Sequence, residues 1–277
     1  MAKKKRFSHL AWLKKTGEKL TTSDGKKIAV LELVVDNTDT AIWKSWAKHF
    51  REHYCLDSMI DELRNGTPYS RAEYMRQLVF PDAKKDWGPA VRSSDFTEIL
   101  LSDLIEEYFQ CWVPRTRFAN KGVRNESPKG VDVLGLKFVN TDFSPSPKDI
   151  LLMFEGKAQL SGGKPLPRLQ DAIDDSSKDA FRKGETLNAI KRRLIEQGKR
   201  EDSHKVKRFQ DALGRPYVEQ SGAAAFFCRS VYDPTHICQT TCCKAHKNIS
   251  NLFLLVIRSN NFMKLVHTLY ERAADET

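Results

Sequence analysis

The sequence predicts an α/β protein: a central mixed sheet flanked by helices, with a smaller N-terminal α/β region ahead of it. Three observations carry that expectation. Short apolar runs of strand length recur at residues 28–35, 131–139, 150–158, 222–231 and 252–258. Amphipathic segments fall between them, and the order after residue 90 is helix, three strands, helices, two strands, helix. Composition agrees, because 40% hydrophobic and 30% charged residues over 277 positions suffice for a sizeable core and exclude bulk disorder.

Taken in order, the turn Ser23-Asp24-Gly25 leads into the strand 28–35, and a helix carrying Trp43, Trp46, His49 and Phe50 follows. At helical spacing, Trp43 and Trp46 read as core rather than as a partner-binding patch with Trp12. Between Pro81 and Pro89 the pattern lapses into Pro, Asp, Lys and Gly, which divides the chain into an accessory or partner-binding region, 1–90, and a main domain, 91–277. The main domain opens at Ser94-Asp95 with a helix whose buried face is Phe96, Ile99, Leu100, Leu104, Ile105, Tyr108 and Phe109. Strands are expected at 112–118, 131–139 and 150–158, the last two adjacent across the turn-rich 140–148. A helical zone over 168–208, interrupted near Gly184, presents Leu187, Ile190 and Leu194 as its apolar stripe and turns Lys191, Arg192 and Arg193 away from it. The strands at 222–231 and 252–258 then lead into a terminal helix over 261–274.

Charge and missing signals narrow the function. The chain is net +10, and the excess is concentrated: residues 1–27 are net +7 and 182–208 net +6, leaving the remainder at −3. Such a distribution favours a polyanionic partner. The longest uninterrupted apolar stretches, 223–228 and 252–257, are six residues each, too short for a membrane span, and the basic start has no apolar leader, so a cytoplasmic protein is expected. Six cysteines in this length are too few for a disulfide scaffold. Gly162-Gly163-Lys164-Pro165 lacks the Ser or Thr and the upstream Gly of a phosphate-binding loop, so this chain is not expected to bind a nucleotide cofactor; any motor must be a separate polypeptide.

The chemistry-bearing pattern is Gly130-Val131-Asp132-Val133-Leu134-Gly135, followed by Met153-Phe154-Glu155-Gly156-Lys157-Ala158-Gln159. Strand alternation places Glu155, Lys157 and Gln159 on one face. With Asp132 on the neighbouring strand, two carboxylates and the Gly156 carbonyl can hold Mg²⁺, for which Mn²⁺ can substitute. A like-charged pair so close is unfavourable alone and favourable around a dication. Lys157 is then placed to stabilise an attacking hydroxide or the charge developing on phosphorus, which implies phosphodiester hydrolysis. Glu98 can orient the metal's water shell, although Asp95-Phe96-Thr97-Glu98 also fits a helix N-terminal capping box. Gln159 can touch a phosphate or a base. The competing reading is a Glu155–Lys157 salt bridge at the end of an edge strand.

These residues resemble the PD-(D/E)xK nuclease superfamily, with Val131 in place of the proline, and therefore imply a restriction-endonuclease-like core. They are also similar to the nuclease subunits of bacterial Hachiman anti-phage systems over about residues 90–275. The resemblance implies a DNA nuclease of broad specificity, regulated by a partner helicase, with Asp132, Glu155 and Lys157 as its active site and Glu98 and Gln159 as auxiliaries.

Three further expectations accompany it. Lys191, Arg192 and Arg193 can line a nucleic-acid groove, and Lys3-Lys4-Lys5-Arg6 with Lys14 and Lys15 can grip phosphate. Cys238, Cys242, Cys243 and His246 have the residue types of a zinc site but not the paired Cys-x-x-Cys spacing. A catalytically silent nucleic-acid-binding or assembly subunit on a nuclease-like fold is the alternative to the enzyme.

Overall fold

The structure is a computed structural model and describes residues 6–277; the expected phosphate contacts of Lys3, Lys4 and Lys5 lie outside the described residues. The chain forms an α/β fold. Its first part supplies β1 (Leu13–Lys15), β2 (Leu20–Thr21) and β3 (Lys27–Leu33), then α1 (Thr40–Glu52), α2 (Ile60–Arg64), α3 (Arg71–Tyr74) and the long α4 (Gly88–Leu104). After an irregular stretch come β4 (Val133–Lys137), β5 (Ile150–Gln159), α5 (Arg168–Ser176), α6 (Asp179–Glu196) and α7 (Arg200–Lys207). The chain ends with β6 (Val218–Cys228), α8 (Pro234–Thr240), β7 (Leu252–Ser259) and α9 (Phe262–Asp275).

The strands join in the order β1-β3-β7-β6-β5-β4, with β2 paired to β3. The four inner strands β3, β7, β6 and β5 are mutually parallel, and β1 and β4 run antiparallel at the edges. The region before residue 90 therefore hydrogen-bonds into the same sheet, Ala29 lying opposite Leu255. Its helix α1 packs on α9 through Phe50 and Tyr270, whose rings are 4.8 Å apart. Trp43 and Trp46 are buried core, as their spacing predicts.

Helices cover both faces, so β5 is apolar on both. Leu152 and Phe154 join the core with α4 and α9, whereas Leu151 and Met153 join Leu187, Ile190 and Leu194 of α6. Alternation then carries Glu155 and Lys157 onto the α6 side and Gly156 onto the α4 side. A Cβ at Gly156 would lie 2.8 Å from Thr97 and Leu101, so glycine is what lets α4 approach this strand.

Three expectations are corrected. Residues 112–118 form no strand: Trp112 makes a single bridge to Leu136, then Pro114 removes a donor and Arg115 and Arg117 turn to acids on α4 and its continuation. Helix α4 starts at Gly88 rather than at Ser94-Asp95, so Asp95 is an interior, buried residue bonded to Tyr54 and Lys121, and no capping box forms with Glu98. Helix α6 runs through Gly184, which faces open space and costs about 1 kcal/mol in an exposed helix, and the breaks fall at residues 177–178 and 197–199 instead.

Candidate active site

The antiparallel β4–β5 ladder positions the first two acids. Val133 lies opposite Phe154, so Asp132, one residue before the strand, falls opposite Glu155. The backbone N–H of Asp132 donates to Glu155 Oε1 at 3.2 Å, and the Gly156 N–H donates to Asp132 Oδ2 at 3.1 Å. The structure thus brings together Asp132, Glu155 and the Gly156 backbone. Lys157, two residues along the same face, has its Nζ 2.5 Å from Asp175 Oδ2 at the end of α5. Burial alone would lower the Lys157 ammonium, but Asp175 together with the charges of Asp132 and Glu155 raises it, so it stays charged.

Glu98 reaches the group from α4 through a residue the sequence reading did not single out. Arg117 Nε lies 2.6 Å from Glu98 Oε2, and its Nη2 lies 3.2 Å from Asp132 Oδ1. A cleft of about 380 Å³ opens here, lined by Ser94, Glu98, Arg117, Asp132, Lys157 and Arg168.

A fourth acid, Asp179 at the start of α6, is fully buried against Glu155; no N–H or hydroxyl donates to its oxygens, and its side-chain partner is the Glu155 carboxyl when that group carries a proton. The nearest cation to both is Arg182, 3.7 Å from Asp179 and 4.0 Å from Glu155. The missed signal is visible in retrospect: Asp171, Asp175 and Asp179 recur every four residues just ahead of the basic segment beginning at Arg182.

Electrostatics mark this group as short of positive charge. Burial, then repulsion from Asp132 and Asp179, pushes Glu155 up to about 11. Burial pushes Glu98 up to about 8 against the pull of Arg117, and Asp132 and Asp95 add to the rise. Burial raises Asp179 to about 7 against a hydrogen bond from Glu155 and the pull of Arg182, with Asp132 adding to the rise. Neighbouring carboxyls shifted this far share protons unless a cation replaces them. The facing pair Asp132 and Glu155, beside the Gly156 carbonyl, suits a divalent ion that keeps several waters, and Asp179 backs Glu155 without completing a set of three acid ligands within 4.8 Å of one another.

The model of the HamA family matches residues 8–273. This chain belongs to the HamA family. The match agrees with the resemblance to this Hachiman family and extends it over the N-terminal region. No curated protein and no solved structure matches the chain.

Other expected residues of this HamA-family chain fall at varying distances from the acids. Gln159 spends its amide on the following loop, donating to the Lys164 carbonyl at 2.9 Å and accepting from the Leu166 N–H at 3.0 Å. Of the basic triplet, Arg193 lines a small cavity with Arg117 and Asp132, whereas Lys191 bonds to Gln210 and Arg192 pairs with Glu196 on the exposed side of α6. Cys238, Cys242, Cys243 and His246 do not gather into a ligand set. Among the described residues, the set of three or more His, Cys, Asp or Glu ligand atoms within 4.8 Å of one another is His49, His53 and Asp103. Arg115 already stands among them, with Nη1 2.6 Å from His53 Nε2 and Nη2 2.7 Å from Asp103 Oδ1. No helix among the described residues is long and apolar enough to cross a membrane.

Proposed function

We propose that this chain is a metal-dependent nuclease of the PD-(D/E)xK type, hydrolysing DNA phosphodiester bonds with broad sequence specificity as the effector of an anti-phage defence complex that includes a separate helicase. The observation that carries the reading is the meeting of Asp132 and Glu155 across the β4–β5 ladder, with Lys157 two positions along the same face. Family membership supports the defence role.

Asp132, Glu155 and the Gly156 carbonyl would hold Mg²⁺ or Mn²⁺, with Asp179 behind Glu155 adding negative charge. When bound, the ion neutralises the carboxylates, lowers the pKa of water and draws charge from the phosphate. Lys157 contributes a fixed positive charge at the mouth of the cleft, where it attracts the scissile phosphate and stabilises charge developing on its oxygens. Arg168 on the cleft wall and Arg193 behind Arg117 extend the positive lining along which a strand can lie, and Lys191 and Arg192 carry it onto the outer face of α6. Glu98 positions the site through Arg117, and Gln159 fixes the loop at the cleft's edge, where it can meet a phosphate or base.

The test is cleavage of linear and circular DNA by the purified chain, alone and with its helicase, in Mg²⁺ or Mn²⁺. Lys157→Ala and Glu155→Ala are each expected to lower the rate by about 10²-fold or more. Cleavage indifferent to both substitutions and to chelation overturns the reading. Steeply salt-dependent DNA binding without cleavage under any of these conditions favours the silent binding subunit instead.

A further inference from the structure

Cations are unevenly distributed around the acid cluster. Glu98 and Asp132 share Arg117, whose guanidinium also donates to the carbonyls of Pro128 at 2.7 Å and Val131 at 2.8 Å. It is therefore held between two carboxylates and the backbone of the loop that delivers Asp132. Glu155 and Asp179 have Arg182, at 3.7–4.0 Å, as their nearest cation among the described residues. A guanidinium cannot release its proton in a protein, so the Glu98–Asp132 half carries a permanent cation.

We infer that Arg117 is a resident cation that reserves the Glu98–Asp132 side of the centre, so that a divalent ion is confined to the Asp132–Glu155 side and the chain takes up one ion rather than two. The inference rests on the metal-dependent reading above. A second dication at Glu98 would have to sit against the guanidinium, and repulsion at that distance in a buried setting opposes it. Without the guanidinium, the Glu98 and Asp132 carboxyls face one another with no fixed cation between them, a gap that a divalent ion can fill. Arg117 is in this sense a positioning residue: it sets the number of ions and the place of Asp132 without touching the scissile bond.

Full-length wild type, Arg117→Gln, the double variant Arg117→Gln/Glu98→Gln and Glu155→Ala, all chelator-stripped, are to be titrated with Mn²⁺ by calorimetry and followed by thermal midpoint. Wild type should bind one Mn²⁺ per chain. Arg117→Gln should have a lower metal-free midpoint, bind two Mn²⁺ and gain more from Mn²⁺ than wild type does. The double variant should return to one ion and recover the metal-free midpoint. A single Mn²⁺ in Arg117→Gln with an unchanged midpoint overturns the inference, as does a double variant that still binds two. If Arg117→Gln is insoluble when stripped, its recovery by the added Glu98→Gln supports the inference and failure to recover overturns it. Failure of the underlying reading looks different: wild type binds no Mn²⁺, or Glu155→Ala binds it as wild type does.

Discussion

Two buried polar clusters lie side by side on α4 and its continuation, built from the same materials and opposite in electrostatic character. In the first, Asp103 accepts from His9 and His49, and Arg115 joins Asp103 to Glu106, whose other oxygen meets Arg6 at 2.9 Å. Burial alone would raise Asp103, yet His49 and Arg115 hold it well below the usual carboxylate range. In the second, Glu98, Asp132, Glu155 and Asp179 share Arg117 and a more distant Arg182, and three of the four acids are pushed up. Arg115 and Arg117 are two residues apart on one irregular segment, which Lys121 continues by pairing with Asp95. The segment acts as a basic rail along the acids of α4. Where the rail matches the acids, buried charge is structural; where it falls short, the acids are pushed toward their protonated forms.

Breaking the balanced cluster should have the largest effect on folding. Arg115→Met leaves Asp103 and Glu106 buried without their shared cation and should cost about 3–5 kcal/mol, read as a fall in the urea midpoint that Mg²⁺ does not restore. A loss well under 1 kcal/mol would show that the histidines and Arg6 satisfy both acids without it.

The contrast also explains what a reader of the sequence can and cannot see. The apolar runs at 150–154 and 252–257 announce β5 and β7, and the period-two rule places Glu155 and Lys157 on one face without any tertiary information. The antiparallel pairing that brings up Asp132 is suggested by the length of the loop between the runs. Arg117, by contrast, lies in a stretch whose strand-like composition is overridden by Pro114 and by ion pairs to residues far away in sequence. Asp95 looks like a helix cap because Ser94-Asp95 precedes a clean apolar stripe, and only the packing of Tyr54 and Lys121 shows that the helix starts about two turns earlier. Asp179 is hard to single out because the zone it opens is dominated by its basic residues.

The next effect is one of pH, and the two clusters should answer in opposite directions. Between pH 7.2 and 8 the unfolded histidines have given up most of their protons; below that window His9, His53, His246 and His267, all lowered by burial, oppose the carboxyls by making stability rise with pH. In that window folded Glu155 and most of Glu98 retain protons that the unfolded chain has released, so their raised pKa values make stability fall as pH climbs. The slope should approach 1.4 kcal/mol per pH unit for each proton retained. Asp103, whose pKa is depressed, contributes stability above the ordinary carboxylate range that is lost only as pH drops below about 4. Urea midpoints at pH 7.2, 7.6 and 8.0 in chelator should therefore decline, and Mg²⁺ should flatten the decline by displacing those protons. A pH-independent midpoint in chelator, or an equal decline with Mg²⁺, would mean that the acid group is not short of positive charge.

The smallest expected effect concerns the edge of the cleft, where Gln159 shares a strand face with Lys157 but has its amide engaged by the Lys164 carbonyl and the Leu166 N–H. Both bonds are solvent-exposed, so Gln159→Ala should cost no more than about 1 kcal/mol of stability. Freed from that anchor, the loop at 160–166 should become more susceptible to proteolysis, a local readout that the overall midpoint does not register. Its effect on DNA cleavage separates two roles. Loosening of the loop alone predicts a modest loss that Gln159→Asn does not repair, since the shorter amide cannot span both partners. A loss as large as that of Lys157→Ala, at unchanged loop proteolysis, would instead put the amide on the substrate and extend the under-neutralised site by one more residue along β5.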